Sequence, residues 1–340
     1  MKRPFVIIGE NIHCTRIFKV GGANVKKLDS GAHVIIYTAG KEPRQLPIPE
    51  KFTKGADWEA AKVKHCAVAV WQGLYGKGAD QAAGVQYLQA LAAKQEACGA
   101  RFLDVNIDEF STDGDEKLRA VKWIVDVVQK GSRLPISIDS SNPAILRAGL
   151  AACDRSRGPA MVNSVSLERA DAIAVAAEFK AAVVASAAGE KGLPSSLDER
   201  LANIGALLPK LAAVGIKPES TYIDPLVFPI STDSCNGQSF LETIRQIRAR
   251  HGEAIHITGG FSNVSFGMPA RKLINQVFTW LAVEAGADSG IVDPMQINAK
   301  ILDSLDTNAE TFKLARALLT GEDAFGVEFI SAHREGKLGE

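Results

Sequence analysis

The stretch from Pro135 to Val165 runs PISIDSSNPAILRAGLAACDRSRGPAMVNSV. Its first apolar run, Pro135 to Asp139, ends in a carboxylate. Asn142 and Pro143 then supply a helix N-cap followed by the residue best suited to the first helical position. A second apolar run, Ala160 to Val165, carries Asn163 near its end. This is the pattern of a strand, a helical crossover and a parallel strand.

The same alternation repeats on both sides. Short runs rich in Val and Ile fall at Phe5 to Ile12, Phe102 to Ile107, Thr221 to Leu226, Ile255 to Phe261 and Ser289 to Asp293, with a further one at Ala181 to Ala187. Between them lie segments of helical period. Leu118, Val121, Ile124, Val125 and Val128 share one face, with Asp115 placed as N-cap and Gly131 just past the end. Gln276 to Gly286 ends in a glycine stop, and Pro209 predicts a kink or break between Leu201 and Gly215. Eight strands, nearly all followed by a helix, favour a closed (β/α)8 barrel of the TIM type over an open doubly wound sheet, and no GxGxxG follows the first strand. The fold class expected is therefore α/β, a single barrel over residues 1–340.

One interval breaks the spacing. Residues 14–80 form a long insertion after the first strand, with Gly21-Gly22, a strand-like His33 to Tyr37, a segment Lys41 to Pro49 with three prolines, and a helical segment around Trp58 to Leu74. A hairpin plus a helix on the catalytic side of the barrel is the expectation, because long loops without a function are uncommon.

Composition narrows the ligand. At 340 residues and 46% hydrophobic, the chain can fill a large core. Acidic and basic residues balance at 39 each, which removes the electrostatic footprint of a nucleic-acid or anionic-membrane binder. Five scattered cysteines with no CxxC pair signal neither a disulfide framework nor a metal cluster, and they read as reduced thiols. The apolar run before Gly9 is too short for a signal peptide or a membrane span, so a cytoplasmic location is expected.

Chemistry in such a barrel sits at the C-terminal ends of the strands. There the chain places Asp104, Asn106 and Asp108 (strand two), Asp139 (three), Asn163 (four), Asp224 (six), Asn263 (seven) and Asp293 (eight). All are Asp or Asn, and no ring of Lys or Arg accompanies them. Converging carboxylates and amides need partners, since an unpaired buried charge costs several kcal/mol. No HExxH, paired His or phosphate loop points to a metal of the protein's own, so none is expected. A pterin fits the set: its 2-amino group and adjacent ring N–H give two parallel donors to one carboxylate. Asp139, Asn163, Asp224 and Asn263 are the principal candidates, joined by Asp104, Asn106 and Asp293. His13 and Cys14 read as structural, and His251 and His256 as ordinary surface or strand residues.

The strand ends also resemble a known family. Ile138-Asp139-Ser140, Met161-Val162-Asn163-Ser164, Tyr222-Ile223-Asp224-Pro225-Leu226 and Ser262-Asn263-Val264-Ser265 stand in the order found in the methyltetrahydrofolate:corrinoid protein methyltransferases. Ile7-Ile8-Gly9-Glu10-Asn11, Asp104-Val105-Asn106 and Gly192-Leu193-Pro194 with Asp198 and Arg200 extend the likeness. The resemblance implies that Asp139, Asn163 and Asp224 hold the pterin ring and that Asn263 lies near N5, the atom carrying the methyl group. It further implies tetrahydrofolate or 5-methyltetrahydrofolate as substrate, cobalamin (a corrinoid) carried by a partner protein, and a homodimer. Methyl transfer between that corrinoid protein and N5 of tetrahydrofolate, in either direction, is the expected activity, and the insertion is expected to shape the docking of the corrinoid protein. The alternatives are a dihydropteroate synthase-like enzyme and a non-catalytic pterin-binding subunit. Dihydropteroate synthases carry a basic residue after strand seven, and Ser262 to Gly267 has none. Phe266 stands where some methyltransferase relatives have Gln.

Overall fold

The computed structural model describes residues 4–338. Its main sheet is built from β1 (Val6–His13), β2 (Ala100–Asn106), β3 (Ile136–Asp139), β4 (Met161–Val165), β5 (Ala182–Ser186), β6 (Thr221–Asp224), β7 (His256–Ile257) and β8 (Ser289–Val292). The strand order is β7-β6-β5-β4-β3-β2-β1-β8, so neighbours in sequence are neighbours in the sheet apart from the closing strand. A parallel bridge between Gly260 and Ile291 links the β7 end to β8. The helices that follow the strands are α1 (Ala79–Ala97), α2 (Gly114–Gly131), α3 (Pro143–Ala152), α4 (Ala170–Phe179), α5 (Leu197–Ala213), α6 (Asn236–His251) and α7 (Arg271–Ala285). This is the expected (β/α)8 barrel, an α/β fold. Beyond β8 the chain adds α8 (Glu310–Thr320) and α9 (Val327–Arg334). Among the described residues no helix is long and apolar enough to cross a membrane.

The chain divides into two compact units, Gly9–Met161 and a second one made of Val162 onward with the chain start up to Ile8. In the first, α2 begins two residues earlier than expected. Asp113, not Asp115, is the cap: its backbone is extended and its side chain accepts from the Glu116 N–H at 2.7 Å. Asp115 sits in the first turn, where a carboxylate meets the positive end of the helix. Asn142 caps α3 as expected, accepting from the Ala144 N–H, with Pro143 at the first helical position.

The insertion differs from expectation in shape and place. Ile17–Lys19 pairs antiparallel with Lys62–Lys64, and Val25–Lys27, His33–Ala39 and Glu42–Pro47 form a separate antiparallel sheet. The helix expected around Trp58 to Leu74 is broken. A four-residue turn of helix, Ala56–Glu59, ends before Ala61 at φ 56°, and a second helix runs His65–Tyr75. The three-stranded sheet buries Val25, Val34, Ile35 and Leu46. It lies against α1, where Tyr37 meets Tyr87 edge-on at 4.8 Å, and against the helix His65–Tyr75, from which Gln72 donates to the Pro47 carbonyl at 2.9 Å. Its turn, Thr38 to Gly40, reaches Ala93 and Ala97 near the end of α1 and Gly131 at the end of α2. Those helix ends feed the N-terminal ends of β2 and β3. The sheet therefore occupies the outside of α1 and the side away from the strand C-termini, because an amphipathic sheet must cover apolar surface and α1 supplies it. The ribbon of Ile17–Lys19 with Lys62–Lys64 stays by the C-terminal end of β1, where Phe18 stacks on His65 at 4.1 Å and Lys64 pairs with Glu109 at 3.0 Å, and residues within 51–57 line a cavity with Glu109 and Phe110 beside it.

In the second unit α5 runs unbroken through Pro209. Leu201, Ile204, Leu207 and Leu211 form a continuous buried stripe, while Pro209 and Gly205, whose carbonyl loses its N–H partner, face solvent. Water can satisfy that carbonyl, so packing outweighs the local penalty. Strand β7 is shorter than expected, His256–Ile257 instead of Ile255 to Phe261. Phe261 is fully buried against Phe240 and Phe278, each at 5.9 Å, and the chain turns there into a 3-10 helix, Phe261–Ser265.

The helix His65–Tyr75 meets α1 through Gly84, where an added Cβ would stand 2.5 Å from the Ala69 carbonyl oxygen and 2.6 Å from the Gly73 nitrogen. Backbone atoms cannot step aside as a flexible side chain can. Gly84→Ala should therefore lower unfolding stability by about 1–3 kcal/mol in urea titration despite the gain in helix propensity. Unchanged stability would contradict the close helix contact.

Candidate functional site

The side chains of interest follow from strand alternation. Asp104 and Asn106 lie two apart on β2 and share a face, and the parallel register sets Asn106 opposite Asp139 of β3. That register makes a hydrogen bond: Asn106 Nδ2 donates to Asp139 Oδ2 at 2.9 Å, while Asn106 Oδ1 accepts from the Asp108 N–H at 3.0 Å. Asp108 accepts in turn from the Ser140 hydroxyl at 2.7 Å and the Ser141 N–H at 3.1 Å. At the end of β1, His13 Nε2 meets Asp104 Oδ2 at 2.8 Å, and Asp104 is fully buried. One network thus gathers Asp104, Asn106 and Asp139 with two residues the sequence analysis left outside the candidate set, His13 and Asp108.

The electrostatics of this network are strained. Burial, reinforced by the charge of Asp104, pushes the Asp139 carboxyl up to about 7 against the opposing pull of His13 and the Asn106 amide. Burial works against charging His13, yet the hydrogen bond and charge of Asp104, with Asp139 beyond it, outweigh it and raise the imidazole above its ordinary value. The ligand-capable atoms of His13, Asp104 and Asp139 lie within 4.8 Å of one another. His13 and Asp104 are engaged with each other at hydrogen-bond distance, the arrangement of an ion pair that shares a proton.

In the second unit Asp224 ends β6. Its Oδ1 accepts from the Leu226 N–H at 2.8 Å across Pro225, closing a turn in which Leu226 takes φ 70°. Arg200 of α5 is 2% exposed; its Nη1 donates to the Ser239 hydroxyl at 2.6 Å, and its guanidinium lies 5.2 Å from the Phe228 ring centroid. Burial lifts the Asp224 carboxyl to about 6, and the Leu226 N–H and the charge of Arg200 hold it from rising further. Asn163 stands part-buried on β4. Asn263 is on the 3-10 turn after β7, not on the strand itself. That turn is tied down by Arg271, which donates to the Ser265 hydroxyl and the Ser262 carbonyl, each at 2.9 Å, and stacks over the Phe266 ring at 4.6 Å. Asp293 accepts from the Met295 N–H and the Gln296 side chain, bonds that order the loop after β8. His256, read as ordinary, pairs with Asp288 at 2.9 Å at the start of its strand, away from these groups.

His13 and Arg200 carry only faint signals in the sequence. His13 directly follows an apolar run, the position at which a polar residue must face either a loop or the site. Arg200 stands in a quoted motif but had no assigned role, because only the fold shows its place beside Asp224.

Residues 79–293 match the model of the family described as pterin binding enzyme. The chain is 32% identical over 258 residues to the methylcorrinoid:tetrahydrofolate methyltransferase of Eubacterium limosum, an alignment covering 74% of this chain and 89% of that protein. It is 32% identical over 222 residues to the methionine synthase of Mycobacterium tuberculosis, there covering 61% of this chain and only 18% of the longer protein. Among solved structures, a dihydropteroate synthase from Xanthomonas albilineans in complex with 7,8-dihydropteroate superposes with a TM-score of 0.51 at 19% identity, covering 65% of this chain and 83% of that one, a likeness of fold. The family match across the strand ends and a relative at this identity along 89% of its own length show that the chain belongs to the pterin-binding enzymes.

Proposed function

We propose that this chain moves a methyl group between a corrinoid carried by a partner protein and N5 of tetrahydrofolate. The observation that carries the proposal is the 32% identity to a methylcorrinoid:tetrahydrofolate methyltransferase along 89% of that protein. The dihydropteroate synthase structures share the fold at 19% identity or less, which supports no particular reaction.

The proposed pterin ligands are Asp139, Asn163 and Asp224, with Asn106 orienting Asp139. The donor set fits the group: Asp139 and Asp224 both sit above the usual carboxylate range because burial has removed their water, and a pterin edge brings the paired N–H donors that restore it. Asp104 acts behind Asp139 through His13, and Asp293 orders the β8 loop. The corrinoid supplies the nucleophilic cobalt in one direction and the methyl donor in the other. We assign to Asn263 the hydrogen bond to N5, a bond that strengthens as N5 loses its methyl group and gains electron density. Its side-chain amide makes no hydrogen bond among the described residues, so the donor is available. Arg271 fixes the turn on which that amide stands, and Phe266 occupies the place of the Gln of some relatives, so no second side-chain amide follows Asn263 there. The partner is a corrinoid protein, and a second copy of the chain completes a homodimer. The five free cysteines suit a reducing cytoplasm.

The test is direct. Incubation with 5-methyltetrahydrofolate and cob(I)alamin should produce methylcobalamin, followed by its absorbance. Folate binding without exchange would identify a non-catalytic pterin-binding subunit, and condensation of a pterin pyrophosphate with p-aminobenzoate would identify a synthase. Within the same assay, Asn263→Ala should slow single-turnover transfer at saturating folate by about a hundredfold or more, with only a modest loss of folate affinity. Asp224→Asn should weaken folate binding at least about tenfold by calorimetry, since a charge-assisted bond contributes about 1.5 to 3 kcal/mol. Wild-type transfer in the first variant, or wild-type affinity in the second, would refute the respective role.

A further inference from the structure

Two carboxylates and one imidazole crowd the C-terminal ends of β1, β2 and β3, with ligand-capable atoms within 4.8 Å of one another. We propose that His13 is a positioning residue for the pterin: paired with the buried carboxylate of Asp104, its imidazolium offsets one of the two acids and leaves Asp139 as an ionised acceptor. The inference rests on the assignment of Asp139 as a pterin acceptor.

The surroundings define the balance. Asp139 of β3 faces Asp104 of β2 and Asp108 of the loop after it, both acidic, against His13 of β1, whose imidazole stands above its ordinary value, and the amide of Asn106. His13 faces Asp104 and Asp139, with Arg16 of the turn after β1 opposing its charge. Arg16 is itself engaged by Glu10, through an ion pair and a 3.2 Å bond to the Glu10 carbonyl, so it cannot take the place of His13. Asp104 is 0% exposed and bonded to His13 at 2.8 Å.

Two carboxylates this close, with little water, do not both ionise without a cation. If His13 carried no charge, Asp139 would hold its proton to higher pH. A protonated Asp139 presents an O–H toward a ligand edge made of N–H donors, which is a repulsive contact instead of a paired one. His13 thereby sets the pH range in which the site accepts a pterin, without touching the ligand.

The experiment is the pH dependence of 5-methyltetrahydrofolate affinity, by calorimetry from about pH 6 to about pH 9, for the wild type, H13Q and the double variant H13Q/D104N. In the wild type, affinity should fall as pH drops below the Asp139 midpoint near 7. In H13Q that fall should begin about one pH unit higher, so that binding is roughly fivefold weaker at about pH 7, approaches tenfold weaker at about pH 6, and the two proteins agree at about pH 9. The double variant removes the opposing acid as well and should return the fall toward the wild-type position. A purely structural role would weaken binding by a constant factor at every pH; that result, or an H13Q profile identical to the wild type, would overturn the inference. Failure of the wild type to bind the folate at any pH would instead overturn the pterin assignment itself.

Discussion

Asn106 and Asp139 stand opposite each other on neighbouring parallel strands, and the 2.9 Å bond between them is a direct consequence of register. A one-residue shift of β2 would turn Asp104 and Asn106 away together and leave Asp139 without its amide partner, since strand side chains alternate faces. The same register brings Asp104 close enough to Asp139 that the second acid cannot ionise cheaply. A comparable constraint operates on Asp224, where the turn through Leu226 fixes the carboxylate and Arg200 stands near it without making a direct bond. In both places the fold holds a buried carboxyl, Asp139 and Asp224, above its ordinary range, the kind of perturbed acid that gathers at functional sites.

The strand ends were legible because two kinds of information coincide there. Apolar runs of four to eight residues mark buried strands, and a polar residue closing such a run has few places to go except the site. Asp139, Asn163 and Asp224 do stand on or at the ends of their strands, as those runs imply. Asp293 obeys the same rule yet spends both carboxylate oxygens on its own loop, a distinction that depends on where Met295 and Gln296 turn and not on the strand. Asn263 was placed on a strand because Ile255 to Phe261 reads as one. The burial of Phe261 among Phe5, Phe240 and Phe278 decides otherwise, and these rings are far apart in sequence.

Long-range partners were the least legible features. His13 and Asp104 are separated by 91 residues, and only the placement of β1 beside β2 in the sheet makes them a pair. Pro209 illustrates the converse, a local signal overridden by a buried stripe of leucines and an isoleucine. The insertion was visible as a break in spacing, but its position was not, because covering α1 depends on which of its faces the sheet buries. Charge balance and cysteine spacing excluded whole classes of function without naming one, and the strand-end motifs had to do the rest.

The central claim is that Asp139 and Asp224, lifted by burial to about 7 and about 6, are settled in their ionised forms by the donors of a pterin. Ligand binding must then release protons at mildly acidic pH, where the empty site holds them and the occupied one does not. Calorimetric titration of the wild-type protein with 5-methyltetrahydrofolate at about pH 6.5, in two buffers of different ionisation enthalpy, measures that release directly. A net release of about one proton per site is the predicted result. A binding enthalpy that does not depend on the buffer, or a net uptake of protons, would contradict it.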